Sequence, residues 1–255
     1  MNIVVAMAGE GSRFVKQGHL YPKPLIRTGN TTMIQQVYYS LEWPNADWHF
    51  VVKMQHLRDY PFMKSLLESM GSITAIEETT RGAAETLQKC KEVMTSSKPF
   101  ISVNCDQVFE WDTTSLQNKM KENPLHSYIT VYPHTDDNRH SFAHTKDGTG
   151  QRSKDEVWMC TEKTKKGYGT NNATTGFYHF ASGTLYNECC DRLLAKPPEF
   201  GEYYVAPVYN EIIDEYNSGG DTSSNVFIHK VHTKTFWPVG TQNDWLHYTH
   251  RHYRR

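Results

Sequence analysis

Near its start the chain carries two glycines, a hydroxyl and a guanidinium in Ala8-Gly9-Glu10-Gly11-Ser12-Arg13-Phe14, followed by Pro22-Lys23-Pro24-Leu25-Ile26. Glycines let backbone N–H groups turn toward an anion and approach it closely. Arg13 adds a planar fork of donors matched to phosphate oxygens, and Lys23 a compact second cation. Such a set can cradle a triphosphate. A Gly-x-Gly alone is also an ordinary tight turn; Ser12-Arg13 and the delayed Pro-Lys-Pro lift this one above that reading. Two better-known glycine loops do not fit. The dinucleotide fingerprint requires a third glycine opening a helix, and a P-loop ends in Gly-Lys-Ser/Thr.

Further along, Asn104-Cys105-Asp106 follows the apolar run Phe100 to Val103. A carboxylate just past the carboxyl end of a strand lies where open α/β sheets bind ligands, and it is a natural ligand for Mg²⁺ on nucleotide phosphates. A turn or cap aspartate is the plainer alternative.

These residues need elements to hold them. Ile3 to Met7 is a short β-branched run that reads as a buried strand opening into the glycine loop. Trp48–Lys53, Ser72–Glu77, Phe100–Asn104, Tyr128–Tyr132, Val157–Glu162, Thr175–Phe180 and Val226–Val231 read as further strands. Helical spacing runs from Met33 to Leu41 behind Thr31 and Thr32, and again over 59–70, 82–94, 112–123 and 183–195, with later helices around 210–216 and from Gln242. The alternation predicts an α/β fold with a mixed, mainly parallel sheet flanked by helices. The polar stretch from His134 to Glu156 reads as an excursion between a nucleotide half (1–133) and a second half (157–255) of one domain.

Composition narrows the class. The 255 residues carry a net charge of −1, so no global basic field favours nucleic acid or an anionic membrane. No apolar run approaches the length needed to span a bilayer, and the N-terminal run lacks a preceding basic region. The five cysteines, an odd number, show no paired metal spacing and fit buried thiols of a reducing cytosol. His247, His250 and His252 read as a solvated tail rather than a metal site.

The glycine loop with Ser12-Arg13 and Pro22-Lys23-Pro24 resembles the opening of the sugar nucleotidyltransferases, the nucleoside-diphosphate-sugar pyrophosphorylases, and the resemblance extends over nearly the whole chain. It is closest to short bacterial or phage-type members without a second domain. The resemblance implies a nucleotide-diphospho-sugar transferase (Rossmann-like) fold and a cytoplasmic enzyme that takes an NTP and a sugar 1-phosphate, with Mg²⁺, to an NDP-sugar and pyrophosphate. It allows a homo-oligomer and points to precursor supply for polysaccharides.

It also implies roles for particular residues. Arg13, Lys23 and Asp106 would be catalytic, with Asp106 holding the metal. Ala8, Gly9, Gly11 and Ser12 would take phosphates, and Glu77, Gly82 and Ala83 the base. Glu162, Lys163, Thr175, Gly176, Glu202 and Tyr204 would line the sugar-phosphate side. Three departures stand out. Glu77 occupies a position where thymidylyltransferases place glutamine, and an ionised carboxylate only accepts hydrogen bonds. Pro238 stands where a second metal-binding aspartate is common, two residues before Gly240-Thr241, and Asp244 beyond it reads as a helix cap. Phe200 stands where a basic residue precedes Gly201-Glu202. The acceptor therefore stays open between a sugar 1-phosphate and another phosphorylated small molecule, phosphocholine-like or a phospho-amino acid. A non-catalytic nucleotide-sugar binding module is a further alternative. A glycosyltransferase would carry Asp-x-Asp, for which Asp136-Asp137, the one adjacent pair of aspartates, is the candidate.

Overall fold

The computed structural model describes residues 1–134, 139–145, 154–164, 171–219 and 225–253; Asp136 and Asp137 lie outside them. The first strand, β1 (Asn2–Met7), runs into the one-turn helix α1 (Ser12–Val15), the short strands β2 (Arg27–Thr28) and β3 (Thr31–Thr32), and α2 (Met33–Ser40). Then come β4 (Asp47–Lys53), α3 (Met54–Asp59), α4 (Pro61–Glu68), β5 (Ser72–Ile76), α5 (Ala83–Gln88) and α6 (Lys91–Met94). The middle of the chain holds β6 (Phe100–Asn104), β7 (Gln107–Phe109), α7 (Thr114–Glu122), β8 (Ser127–Pro133), β9 (Ser141–Thr145), β10 (Val157–Glu162) and β11 (Asn172–Phe180). Last are α8 (Gly183–Leu194), α9 (Val208–Ser218), β12 (Val226–Lys230), β13 (Phe236–Pro238) and α10 (Gln242–Tyr253).

Local chemistry explains several boundaries. Thr32 caps α2 in a capping box: its Oγ1 accepts from the Gln35 amide, and Gln35 Oε1 accepts from the Thr32 amide at 2.9 Å. Pro61 opens α4, where its missing N–H has no helical partner to lose. Ser182 caps α8 by accepting from the Leu185 amide.

The main sheet runs β10-β9-β11-β6-β1-β4-β5, with β8 pairing both β11 and β12. It is mixed, as the sequence predicts. Strand β1 lies parallel to β4 and β6, and β4 parallel to β5, whereas β11 runs antiparallel to β6. Alternate residues of β1 serve two cores: Val4 packs with Leu87, Tyr186 and Tyr209, Ile3 and Val5 with Ile34, Leu67 and Leu116. A strand buried on both faces must be apolar almost throughout, which is why Ile3-Val4-Val5 reads as it does.

Two sequence expectations change. The helix expected over 82–94 splits at Cys90, whose backbone (ψ 71°) leaves the helical region while its side chain stays buried. The polar excursion contains β9, antiparallel to β10. Its polar side chains are absorbed across the ladder, Ser141 donating to Glu162 and His144 bonding Thr161 at 2.8 Å, so polarity there does not mean solvent. The terminal helix α10 exposes His247, His250 and His252, as the sequence reading has it, while its other face docks on the protein. Tyr248 is buried, Trp245 donates to the Arg27 carbonyl at 2.9 Å, and His252 packs edge-on against Trp237. Among the described residues no helix is long and apolar enough to cross a membrane.

Candidate active site

A cavity of about 680 Å³ opens at the carboxyl ends of β1 and β6, next to where antiparallel β11 joins the sheet. That is where the chain direction of an α/β sheet leaves a crevice. The glycine loop forms one side. Gly11 adopts a left-handed backbone (φ 62°) and its carbonyl accepts from the Phe14 amide at 2.9 Å, starting α1. A Cβ at Gly11 would sit 3.2 Å from Lys23 Cβ, so the loop and the Pro-Lys-Pro segment pack directly together. Phe14 anchors this corner in a small core with Ile26, Met33, Val108, Val239 and Tyr248. Arg13 lines the cavity, is exposed, and makes no ion pair among the described residues.

Lys23 Nζ donates to Asp106 Oδ2 at 2.7 Å. Burial works to lower the pKa of Lys23, but the Asp106 carboxylate outweighs it, and the net shift is upward. Lys23 is thus held as an ammonium. Asp106 sits in the turn between β6 and β7, and its carbonyl accepts from the Val239 amide at 2.8 Å, alongside the β7–β13 ladder. That ladder sets Pro238 opposite Gln107, and the next glycine, Gly240, has no room for a Cβ because Asp106 Oδ2 occupies it.

The segment Thr79 to Ala83 forms a second wall. It is stitched to the late segment by two bonds, Ala84 N–H to Tyr203 O and Tyr203 N–H to Arg81 O, both 3.0 Å. Gly82 lies so close to the Tyr203 backbone that no side chain fits there. The same stitching carries Glu202 and Tyr204 to the cavity. At the third end, Glu162 lies at the tip of β10, buried, accepting from Ser141. Burial raises its pKa to about 7, against the lowering effect of Ser141 and Lys163. Lys163 donates to Tyr204 Oη, and its ammonium stands 4.5 Å over that ring.

Of the residues singled out in sequence, Ala8, Gly9, Gly11, Ser12, Arg13, Lys23, Gly82, Ala83, Asp106, Glu162, Lys163, Glu202 and Tyr204 share this cavity. Three are placed elsewhere. Glu77 is on the surface, accepting from Arg58 at 2.8 Å. Thr175 is fully buried and bonds Thr130 inside the sheet. Gly176 (φ 78°) lies behind the wall, leaving space filled by the Gln107 and Asn104 amides. The cavity also gathers Glu10, Thr79, Thr80, Gln107, Arg139, Ser141 and Asp244, which sequence reasoning did not assign to it. Arg139 reaches Asp244 Oδ2 at 3.6 Å, while Thr241 donates to the same carboxylate at 2.6 Å, so Asp244 both supports the start of α10 and faces the site. Only a contact across more than 100 residues reveals that pair.

A divalent cation fits this chemistry in one form. Among the described residues no three His, Cys, Asp or Glu side chains gather to hold a metal. Asp106, with the bare Gly240 backbone at its oxygen, offers the single carboxylate typical of Mg²⁺ sites completed by nucleotide phosphates.

Known structures share this architecture. A nucleoside-diphosphate-sugar pyrophosphorylase from Vibrio cholerae RC9 superposes with a TM-score of 0.77 at 22% identity, covering 97% of this chain and 99% of that one. A provisionally assigned glucose-1-phosphate thymidylyltransferase from Bacillus anthracis gives 0.72 at 19% identity, covering 97% and 93%. An apo UDP-glucose pyrophosphorylase gives 0.74 at 12% identity, covering 99% and 97%. At these identities the likeness defines the class of fold, that of the nucleotide-diphospho-sugar transferases. No curated protein matches the chain. The nucleotidyl transferase family model matches residues 2–218, and the chain belongs to that family.

Proposed function

We propose that the protein transfers a nucleotidyl group from an NTP to a sugar 1-phosphate, releasing pyrophosphate and an NDP-sugar. What supports this most is one arrangement: the Lys23–Asp106 pair packed on the glycine loop, in a cavity whose far end holds Glu162 and Lys163. The backbone of Ala8 to Ser12 and the Arg13 guanidinium hold the β- and γ-phosphates, in a loop held open by the left-handed Gly11. Lys23 neutralises charge at the α-phosphate. An acceptor phosphate oxygen attacks the α-phosphorus in line; its bond to phosphorus forms as the bridging bond to the β-phosphate breaks and pyrophosphate leaves with the electron pair. Such a transfer depends on alignment and charge neutralisation more than on a covalent nucleophile.

Asp106 would hold Mg²⁺, which when bound supplies positive charge to the phosphates. Lys23 occupies Asp106 Oδ2 in the free protein and turns to phosphate when nucleotide arrives. On the acceptor side, Glu202, Tyr204 and Glu162 meet sugar hydroxyls and Lys163 the phosphate. Glu77, Thr175 and Gly176 take no direct contact in this scheme, because none is on the cavity wall. The two halves work as one domain, since the single cavity draws on both.

Pyrophosphate release from a matrix of NTPs and phosphorylated acceptors tests the reading. Turnover with a sugar 1-phosphate is expected. Turnover only with phosphocholine or a phospho-amino acid would move the acceptor class. NDP-sugar binding without turnover on any pair would make the protein a binding module.

A further inference from the structure

We infer that Arg139 binds the acceptor's phosphate, holding it between the acceptor end of the cavity and the α-phosphate of the nucleotide. This rests on the nucleotidyl-transfer reading and adds a residue to its acceptor side.

The strand ladder fixes where Arg139 enters the cavity. Ser141 lies opposite Glu162 where β9 and β10 meet, and the Lys163 amide donates to the His140 carbonyl at 2.9 Å. Arg139, just before β9, therefore starts beside Glu162 and Lys163 and lines the cavity with them. Its guanidinium reaches away from that end, to within 3.6 Å of Asp244 Oδ2 in the first turn of α10. The chain leading into α10 passes Gly240, against which Asp106 Oδ2 packs. Arg139 thus spans the interval between the acceptor end and the Lys23–Asp106 pair. An acceptor phosphate must stand in that interval, because its oxygen has to reach the α-phosphorus while the rest of the acceptor lies against Glu162 and Glu202.

Bringing a phosphate up to a triphosphate sets like charges together, and preorganised cations must offset them. The lysines and arginines lining the cavity among the described residues are Arg13, Lys23, Arg81, Arg139 and Lys163. Arg13 and Lys23 serve the triphosphate, and Arg81 pairs with Glu85 at 3.1 Å. Lys163 is one compact charge that already donates to Tyr204 Oη. Arg139 adds a planar fork able to meet two phosphate oxygens at once. Its contact with Asp244 is exchangeable. A separation of 3.6 Å exceeds that of a charge-assisted hydrogen bond, and the Arg139 side chain is 58% exposed, so the pair contributes little. Asp244 keeps the Thr241 hydroxyl, at 2.6 Å, when the guanidinium turns to phosphate.

The test is steady-state kinetics of the full chain, Arg139→Gln and Arg139→Lys, on the NTP and phosphorylated acceptor that release pyrophosphate fastest with the parent. Circular dichroism checks that both variants fold. We expect Arg139→Gln to raise the acceptor KM at least about tenfold, the scale of one charge-assisted hydrogen bond, and to leave the NTP KM unchanged. Arg139→Lys, which keeps the charge without the fork, should recover part of that loss. An acceptor KM close to the parent's in Arg139→Gln, an NTP KM that rises as much, or equal losses in the two variants would overturn the inference while leaving nucleotidyl transfer standing. No pyrophosphate from any pair with the parent would remove both.

Discussion

Glu162 is where a single side chain makes the sharpest solution prediction. Its carboxyl, buried against Ser141, is raised from 4.5 to about 7 in the folded protein. A raised acid holds its proton more tightly folded than unfolded. Its contribution to stability is therefore full below about pH 4.5 and declines as pH rises through 7, by an amount on the order of 3 kcal/mol. Glu162→Gln removes this dependence, so between pH 5 and 8 the variant should lose less Tm than the parent. Calorimetry across that range checks it; parallel curves would show that the carboxyl is not buried as described. The residue itself was legible only through the family resemblance, in which a Glu-Lys pair follows a strand; on its own Glu162-Lys163 reads as an ordinary surface pair. Its protonation was not, since that comes from burial, which only the assembled sheet around the end of β10 brings about.

At the scale of elements, the β7–β13 ladder does what no single motif announces. Two three-residue strands bring Gly240 against Asp106, and neither is long enough to show an alternating pattern. Pro238 in place of a carboxylate was visible in sequence, but its position beside Gln107 needed the pairing. Gly240→Ala would push a methyl into Asp106 Oδ2 and displace the carboxylate from Lys23. Overpacking of this kind costs about 1–3 kcal/mol, so Tm should fall modestly while kcat falls at least tenfold. Thermal melts and steady-state kinetics on the same preparation separate the two; full activity in Gly240→Ala would mean that Asp106 tolerates displacement. The legible elements, such as β1, β4 and β6, are long apolar runs buried on both faces, for which sequence alone suffices. Strand β9 was not legible, because cross-strand hydrogen bonds hide its polar side chains.

Over the whole molecule, the two cores sandwich the sheet and enclose all five cysteines, which are free and buried. Burial pushes the Cys105 thiol up to about 11 and those of Cys189 and Cys190 up to about 12, away from the reactive thiolate. A thiol-specific reagent at pH 8 should label none of them within minutes in the native protein and all five after denaturation. Rapid native labelling of any one would show that its part of the core opens. The mixed sheet was legible as a pattern of alternating strands and helices. The convergence of residues 10, 79, 139 and 244 on one cavity was not, because it depends on how distant turns meet at the sheet's carboxyl edge.

The glycine loop, Lys23 and Asp106 act together only if the lysine's charge is needed when pyrophosphate departs. Pyrophosphate release by the parent and by folded Lys23→Ala, on the best NTP–acceptor pair, measures that directly. The expected result is a fall in kcat of about 10²-fold or more, the scale of losing one preorganised charge donor. Near-parental turnover in Lys23→Ala would contradict the account.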